Sequence, residues 1–135
     1  MTVIDTVRAF YAALGSGDIE QAMSLMADDI EWTTMMDYKF EGRGPKYVAE
    51  GMLIPLAAEW LSYALSPTEL IAGEDGYTVV SLGHFNCVHG GTGKRAEAGY
   101  AHIWTVREGK IARFRQYIDT LAIDEARRPS PMSDV

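Results

Sequence analysis

His102 is the residue with the clearest chemical potential. In the run Tyr100-Ala101-His102-Ile103-Trp104 it alternates with aromatic residues, so one strand face carries Tyr100, His102 and Trp104. An imidazole on such a face can move a proton near neutral pH, or it can be a core histidine satisfied by a buried partner. Asp37, beside Tyr38 in the turn after an apolar run, is the second candidate. A carboxylate at a cavity mouth becomes a base when burial raises its pKa, and is otherwise an ordinary turn residue. Tyr11 falls on the apolar stripe formed by Ile4, Val7, Phe10 and Leu14. Its hydroxyl can enter a cavity or sit at the core's edge. Gln116 alternates with Phe114 and Ile118 and could hold a substrate oxygen.

These residues need elements to position them. Apolar spacing predicts a helix from Ile4 to Leu14, stopped by Gly15-Ser16-Gly17, and a second from Asp18 to Met26. Ile30 to Met36 reads as a strand. Pro45 opens a third helix that carries Tyr47, Val48, Met52, Leu56 and Trp60, with Pro55 bending or splitting it. The second half alternates as strands over 67–71, 77–88, 95–106 and 111–118. Helices first and an antiparallel meander after give an α+β class, with helices on one face of a curved sheet. A three-residue loop at Arg107-Glu108-Gly109 would place Trp104 opposite Ala112, His102 opposite Phe114 and Tyr100 opposite Gln116. Ala101, Ile103, Arg113, Arg115 and Tyr117 then share the other face, a solvent or dimer surface.

Composition sets the outer bounds. The chain has 135 residues, 47% apolar and 23% charged, as an ordinary single globular domain does. Twelve basic against 19 acidic residues give a net charge of −7, which argues against a nucleic-acid partner. No apolar run approaches the length of about 18 residues that suggests a membrane span, and the N-terminus lacks a secretory pattern, so the cytoplasm is the expected location. The lone Cys87 has no partner for a disulfide. His84, His89 and His102 lack metal-ligand spacing, and Gly90-Gly91-Thr92-Gly93 lies at a hairpin tip rather than between strand and helix. Neither a metal nor a cofactor is expected.

Three stretches carry a family resemblance: Phe10-Tyr11-Ala12-Ala13-Leu14 with Gly17-Asp18, Phe40-Glu41-Gly42-Arg43-Gly44-Pro45, and Ala101 to Thr120. On these the chain resembles the SnoaL-like, ketosteroid-isomerase-related branch of the nuclear transport factor 2-like superfamily. The resemblance implies a cone-shaped domain over 1–126 and a flexible polar tail over 127–135. About three N-terminal helices would pack on a strongly curved, mixed and largely antiparallel sheet enclosing a cavity. It also implies a homodimer through the exposed sheet face and a small, mostly apolar organic ligand. Similar isomerases use a Tyr on the first helix and a carboxylate after the first strand, near Tyr11 and Asp37. Their strand acid falls at about Ala101, beside His102. Similar epoxide hydrolases carry a catalytic aspartate where Gln116 stands.

Two functions follow as expectations. One is a cofactor-independent acid–base enzyme, an isomerase, cyclase or hydrolase, using His102, Asp37, Tyr11 and Gln116. The other is a non-catalytic binding or accessory protein with the same cavity. In both, Trp32, Met52, Leu56, Trp60 and Phe85 line the pocket from one side. Tyr100, Trp104, Phe114 and Ile118 line it from the last hairpin.

Overall fold

The structure is a computed structural model that describes residues 1–38 and 41–130. Phe40 of the second motif, and the last five positions of the expected tail, lie outside the described residues.

Helix α1 spans Val3–Gly15. Thr2 caps it, accepting from the Asp5 N–H while the Asp5 carboxylate accepts from the Thr2 N–H, and Val7, Phe10 and Ala13 face inward. Helix α2 spans Ile19–Ser24 and is capped by Asp18. It is shorter than its apolar pattern suggests, because the chain is already extended in β1, Met26–Thr34. Asp28 and Asp29 therefore sit exposed on an edge strand, where charge discourages pairing with another chain.

The Pro45 helix is interrupted rather than broken. Helix α3 (Pro45–Val48) passes through a π-helical turn (Ala49–Leu53) into helix α4 (Ile54–Glu59). The Ile54 N–H bonds the Ala49 carbonyl, five residues back. Widening the helix one residue before Pro55 makes room for the proline ring and its missing N–H. The turn directs Met52 and Leu53 into the core.

Strand β2 spans Trp60–Ala72, β3 Thr78–His89, β4 Arg95–Arg107 and β5 Lys110–Ile118. Trp60 thus begins a strand and does not end the helix. Helix α5, Thr120–Arg127, follows with Asp119 as its cap. The expectation of a strongly curved sheet closing around a cavity is corrected. The strands run in the linear order β1-β5-β4-β3-β2, so β1 and β2 remain free edges of an open sheet that is neither closed nor strongly curved. Closure would need β1 to pair with β2, and among the described residues β1 pairs with β5 alone, in parallel. The rest of the sheet is antiparallel.

The last hairpin also differs from its expected register. His102 pairs with Gln116, Trp104 with Phe114 and Tyr100 with Ile118. The loop has two residues, Glu108 and Gly109, both with positive φ (51° and 75°), the pattern of a tight hairpin turn. A bulge between Thr105 and Val106 adds one more step of offset. The combined shift is two residues, so side-chain parity survives for most of β5. Only next to the bulge do faces change, where Ile111 is buried and Ala112 is not.

On the inner face Gly83 lies opposite Tyr100. A Cβ there would stand 2.4 Å from the Ser66 carbonyl oxygen and 2.6 Å from the Tyr100 hydroxyl. Gly83→Ala should therefore destabilise the fold by about 2 kcal/mol through overpacking, read as a lower denaturation midpoint. An unchanged midpoint would show that Tyr100 does not need this space.

Candidate functional site

Helix α1, the segment 45–59 and the inner sheet face converge on one narrow pocket. Tyr11, Trp32, His102, Trp104, Phe114 and Gln116 line it from α1, β1, β4 and β5. Met36, Met52, Leu53, Leu56, Leu65 and Phe85 close the other side, with Phe10 and Leu14. The free space is about 30 Å³, enough for roughly one water. The side chains explain why. Phe10, Trp32, Trp104 and Phe114 contact one another with ring centroids 4.0 to 6.4 Å apart, mostly edge-on or tilted.

A polar chain crosses this aromatic core. The Met36 N–H donates to Thr34 Oγ1 at 3.1 Å, and the Thr34 hydroxyl donates to Gln116 Oε1. Gln116 Nε2 lies 3.1 Å from His102 Nε2. His102 Nδ1 lies 2.7 Å from the Tyr11 hydroxyl, which donates to Ser81 Oγ at 2.9 Å. His102 is 1% exposed and stacks on Tyr100 with centroids 3.8 Å apart. Burial pushes its pKa down to about 3, so the ring is neutral at physiological pH. Burial likewise pushes the Tyr11 pKa up, and its phenol stays protonated. A neutral imidazole with both nitrogens engaged is poorly placed to take a proton from a substrate. Its geometry suits holding Tyr11.

Asp37 is not in the pocket. Its side chain is 72% exposed and accepts from Arg127 Nη1 at 2.6 Å. The expectation of a buried base there is corrected, because the turn after β1 points outward into the Arg127 guanidinium. Trp60 is buried but outside the lining, and its indole N–H donates to the Tyr38 hydroxyl. Tyr100 packs behind His102, and Ile118 is half-buried beyond it. Neither lines the pocket. His84 faces out, exposed, near Glu97. Ser81 and Thr34 belong to the site and went unnoticed in the sequence. The available signal was parity, since Thr34 alternates with Trp32 and Ser81 with Val79 and Gly83.

A second polar cluster, also unnoticed, ties α5 down. Arg127 donates to both Glu59 oxygens, at 2.7 and 3.0 Å. Glu59 also accepts from Tyr38 and from His89 Nε2. Burial alone would raise the Glu59 pKa, but the bonds from Arg127, Tyr38 and His89 outweigh it and hold the carboxyl at about 2. Among the described residues no group of three His, Cys, Asp or Glu side chains converges as a metal site, and no helix is long and apolar enough to cross a membrane.

The comparisons agree with this architecture. The SnoaL-like domain model matches residues 7–114. A nuclear transport factor 2-like protein from Burkholderia thailandensis is 32% identical, covering 96% of this chain and 99% of that one, with a TM-score of 0.85. A second such protein, from Burkholderia xenovorans, is 30% identical over 93% and 95% of the two chains, with a TM-score of 0.77. TerC, co-crystallised with polyporic acid, is 30% identical over 92% and 96%, also at 0.77. No curated protein matches. With most of its length under the family model and full-length relatives at this identity, the chain belongs to the SnoaL-like family of the nuclear transport factor 2-like superfamily.

Proposed function

We propose that the protein binds a small, mostly apolar organic molecule in the pocket under α1 and the segment 45–59, with Tyr11 as its polar anchor. The observation that carries this is the buried Tyr11–His102 pair, a 2.7 Å contact set among aromatic side chains at the pocket wall. A polar chain through an apolar core costs desolvation, and one that runs along a pocket wall through Gln116, His102 and Tyr11 can serve as a recognition device. TerC, co-crystallised with polyporic acid, supports a small organic molecule as the ligand. The pocket as it stands holds about 30 Å³, so a ligand enters only when Met52, Leu53 and Leu56 yield. The π-helical turn under Met52 and Leu53 is the natural place for that movement.

A screen of neutral aromatic fragments by ligand-observed NMR tests this. Binders should be displaced by one another and weakened about tenfold in Tyr11→Phe. Binding that ignores Tyr11→Phe would remove Tyr11 as the anchor. The acid–base enzyme is the second reading, favoured by the same contact, since a held phenol can donate to a developing oxyanion. Conversion of a bound fragment on long incubation would support it, and recovery of unaltered ligand would support binding alone.

We also propose a homodimer through the outer sheet face. That face carries Ile71 and Tyr117, 48% and 45% exposed, beside Arg115, whose Nε is buried with no hydrogen-bond partner among the described residues. Light scattering should give twice the chain's 14.9 kDa, and a monomer mass at micromolar concentration would contradict the dimer.

A further inference from the structure

The polar chain has a direction, and the direction is set at its far end. The Met36 N–H donates to Thr34 Oγ1, which leaves the Thr34 proton free for Gln116 Oε1. That contact turns the Gln116 amide so that its NH₂ group faces His102 Nε2. An amide NH₂ can only donate, so Nε2 must accept and the ring proton must sit on Nδ1. Nδ1 then donates to the Tyr11 oxygen, and the Tyr11 proton points onward to Ser81.

We propose that Thr34 and Gln116 are positioning residues that hold His102 in its Nδ1–H tautomer, so that the Tyr11 oxygen receives the ring proton and Tyr11's own proton, given to Ser81 in the empty protein, turns from Ser81 to a molecule entering the pocket. The claim rests on the binding function proposed above only for its last step, since the tautomer is a property of the empty protein. It names the ligand chemistry more closely. The acceptors along the chain, on Thr34, Gln116, His102 and Tyr11, each already receive a proton. Two donors on residues of the pocket wall remain unspent. The indole Nε1 atoms of Trp32 and Trp104 are buried without a hydrogen-bond partner among the described residues, and both residues line the pocket. Buried donors left unpaired are costly, and a ligand acceptor would relieve them. Among the described residues no charged side chain lines the pocket. The matching ligand is a neutral, largely apolar molecule that presents carbonyl-type oxygens.

Nitrogen-15 spectra of the imidazoles test the tautomer directly. The ligand-free protein should show His102 with a protonated Nδ1 and an unprotonated Nε2. The opposite pattern would overturn the proposal without any ligand. Thr34→Val frees the Gln116 amide to turn and should give a mixture of tautomers, while Thr34→Ser keeps the hydroxyl and should restore the single form. A merely structural Thr34 would leave the tautomer unchanged in both. The ligand step is read with a matched set: propylbenzene, propiophenone, the corresponding α-diketone, and hydrocinnamate. Affinity should rise about fivefold with each carbonyl, and the carboxylate should bind least. Equal binding of propylbenzene and propiophenone would defeat the carbonyl preference while leaving the pocket a binding site. Absence of binding by the whole set would defeat the binding function as well, with the tautomer result standing on its own.

Discussion

Acidification should destabilise this protein from a higher pH than its carboxylates alone would allow. In the unfolded chain His102 takes up a proton near pH 6.5, but in the fold burial holds its pKa at about 3. The unfolded state therefore binds more protons throughout that window, and its contribution to stability is full above pH 6.5 and falls as the pH drops. The slope is about 1.4 kcal/mol per pH unit, or on the order of 5 kcal/mol across the whole window. That is comparable with the total stability of a typical domain. Glu59 adds a second slope of the same sign. Its carboxyl is held at about 2 against an ordinary 4.5, so its contribution is present above pH 4.5 and is lost between there and 2. Denaturation at a series of pH values should show a decline beginning near 6.5 and steepening below 4.5. His102→Gln should flatten the upper part and leave the lower part in place. A wild-type profile flat from pH 7 to 5 would mean that His102 is not buried as a neutral ring.

The second large effect should come from Arg127. Its guanidinium bridges Glu59, at the end of α4, and Asp37, in the turn after β1, and it lies over the rings of Tyr38 and Trp60. Glu59 is 24% exposed at its side chain. Arg127→Ala leaves that carboxylate with only Tyr38 and His89, and should cost about 2–4 kcal/mol, less than for a fully buried pair. Asp37→Asn, at a 72% exposed carboxylate, should cost well under about 1 kcal/mol. Hydrogen exchange should localise the Arg127→Ala effect to α5 and the start of β2. Equal effects of the two substitutions would mean that the Asp37 contact, and not the Glu59 pair, anchors the helix. Asp37→Asn should also leave fragment binding unchanged, as its place outside the pocket requires.

The parts of the fold legible in the sequence were those governed by side-chain alternation. Trp104, His102 and Tyr100 share a face with Phe114, Gln116 and Ile118 whichever even offset the hairpin adopts. The offset itself was not legible, because a bulge such as the one at Thr105 leaves no mark on an alternating pattern. The strong curvature and enclosure of the sheet are implied only by family likeness, and no residue pattern distinguishes an open edge from a closed seam. The Trp60 boundary failed because no glycine or loop separates Glu59 from the strand. In the site, Tyr11, His102 and Gln116 stood out because each interrupts an apolar stripe with a polar group. The Glu59, His89 and Arg127 cluster did not, since its members lie 30 and 68 residues apart and none breaks a pattern. Asp37 drew notice by its position after a strand, and position alone does not tell which way a turn residue points.

The most direct test of the ligand pocket uses the chain's three tryptophans, each of which contributes one indole N–H signal to a nitrogen-15 correlation spectrum. Trp32 and Trp104 line the pocket with unpartnered N–H groups, while Trp60 is already bonded to Tyr38 outside it. Titration with the tightest-binding fragment should move the Trp32 and Trp104 signals downfield together, at one affinity, and leave Trp60 in place. Saturable binding that moves Trp60 alone, or none of the three, would place the ligand elsewhere and contradict the account.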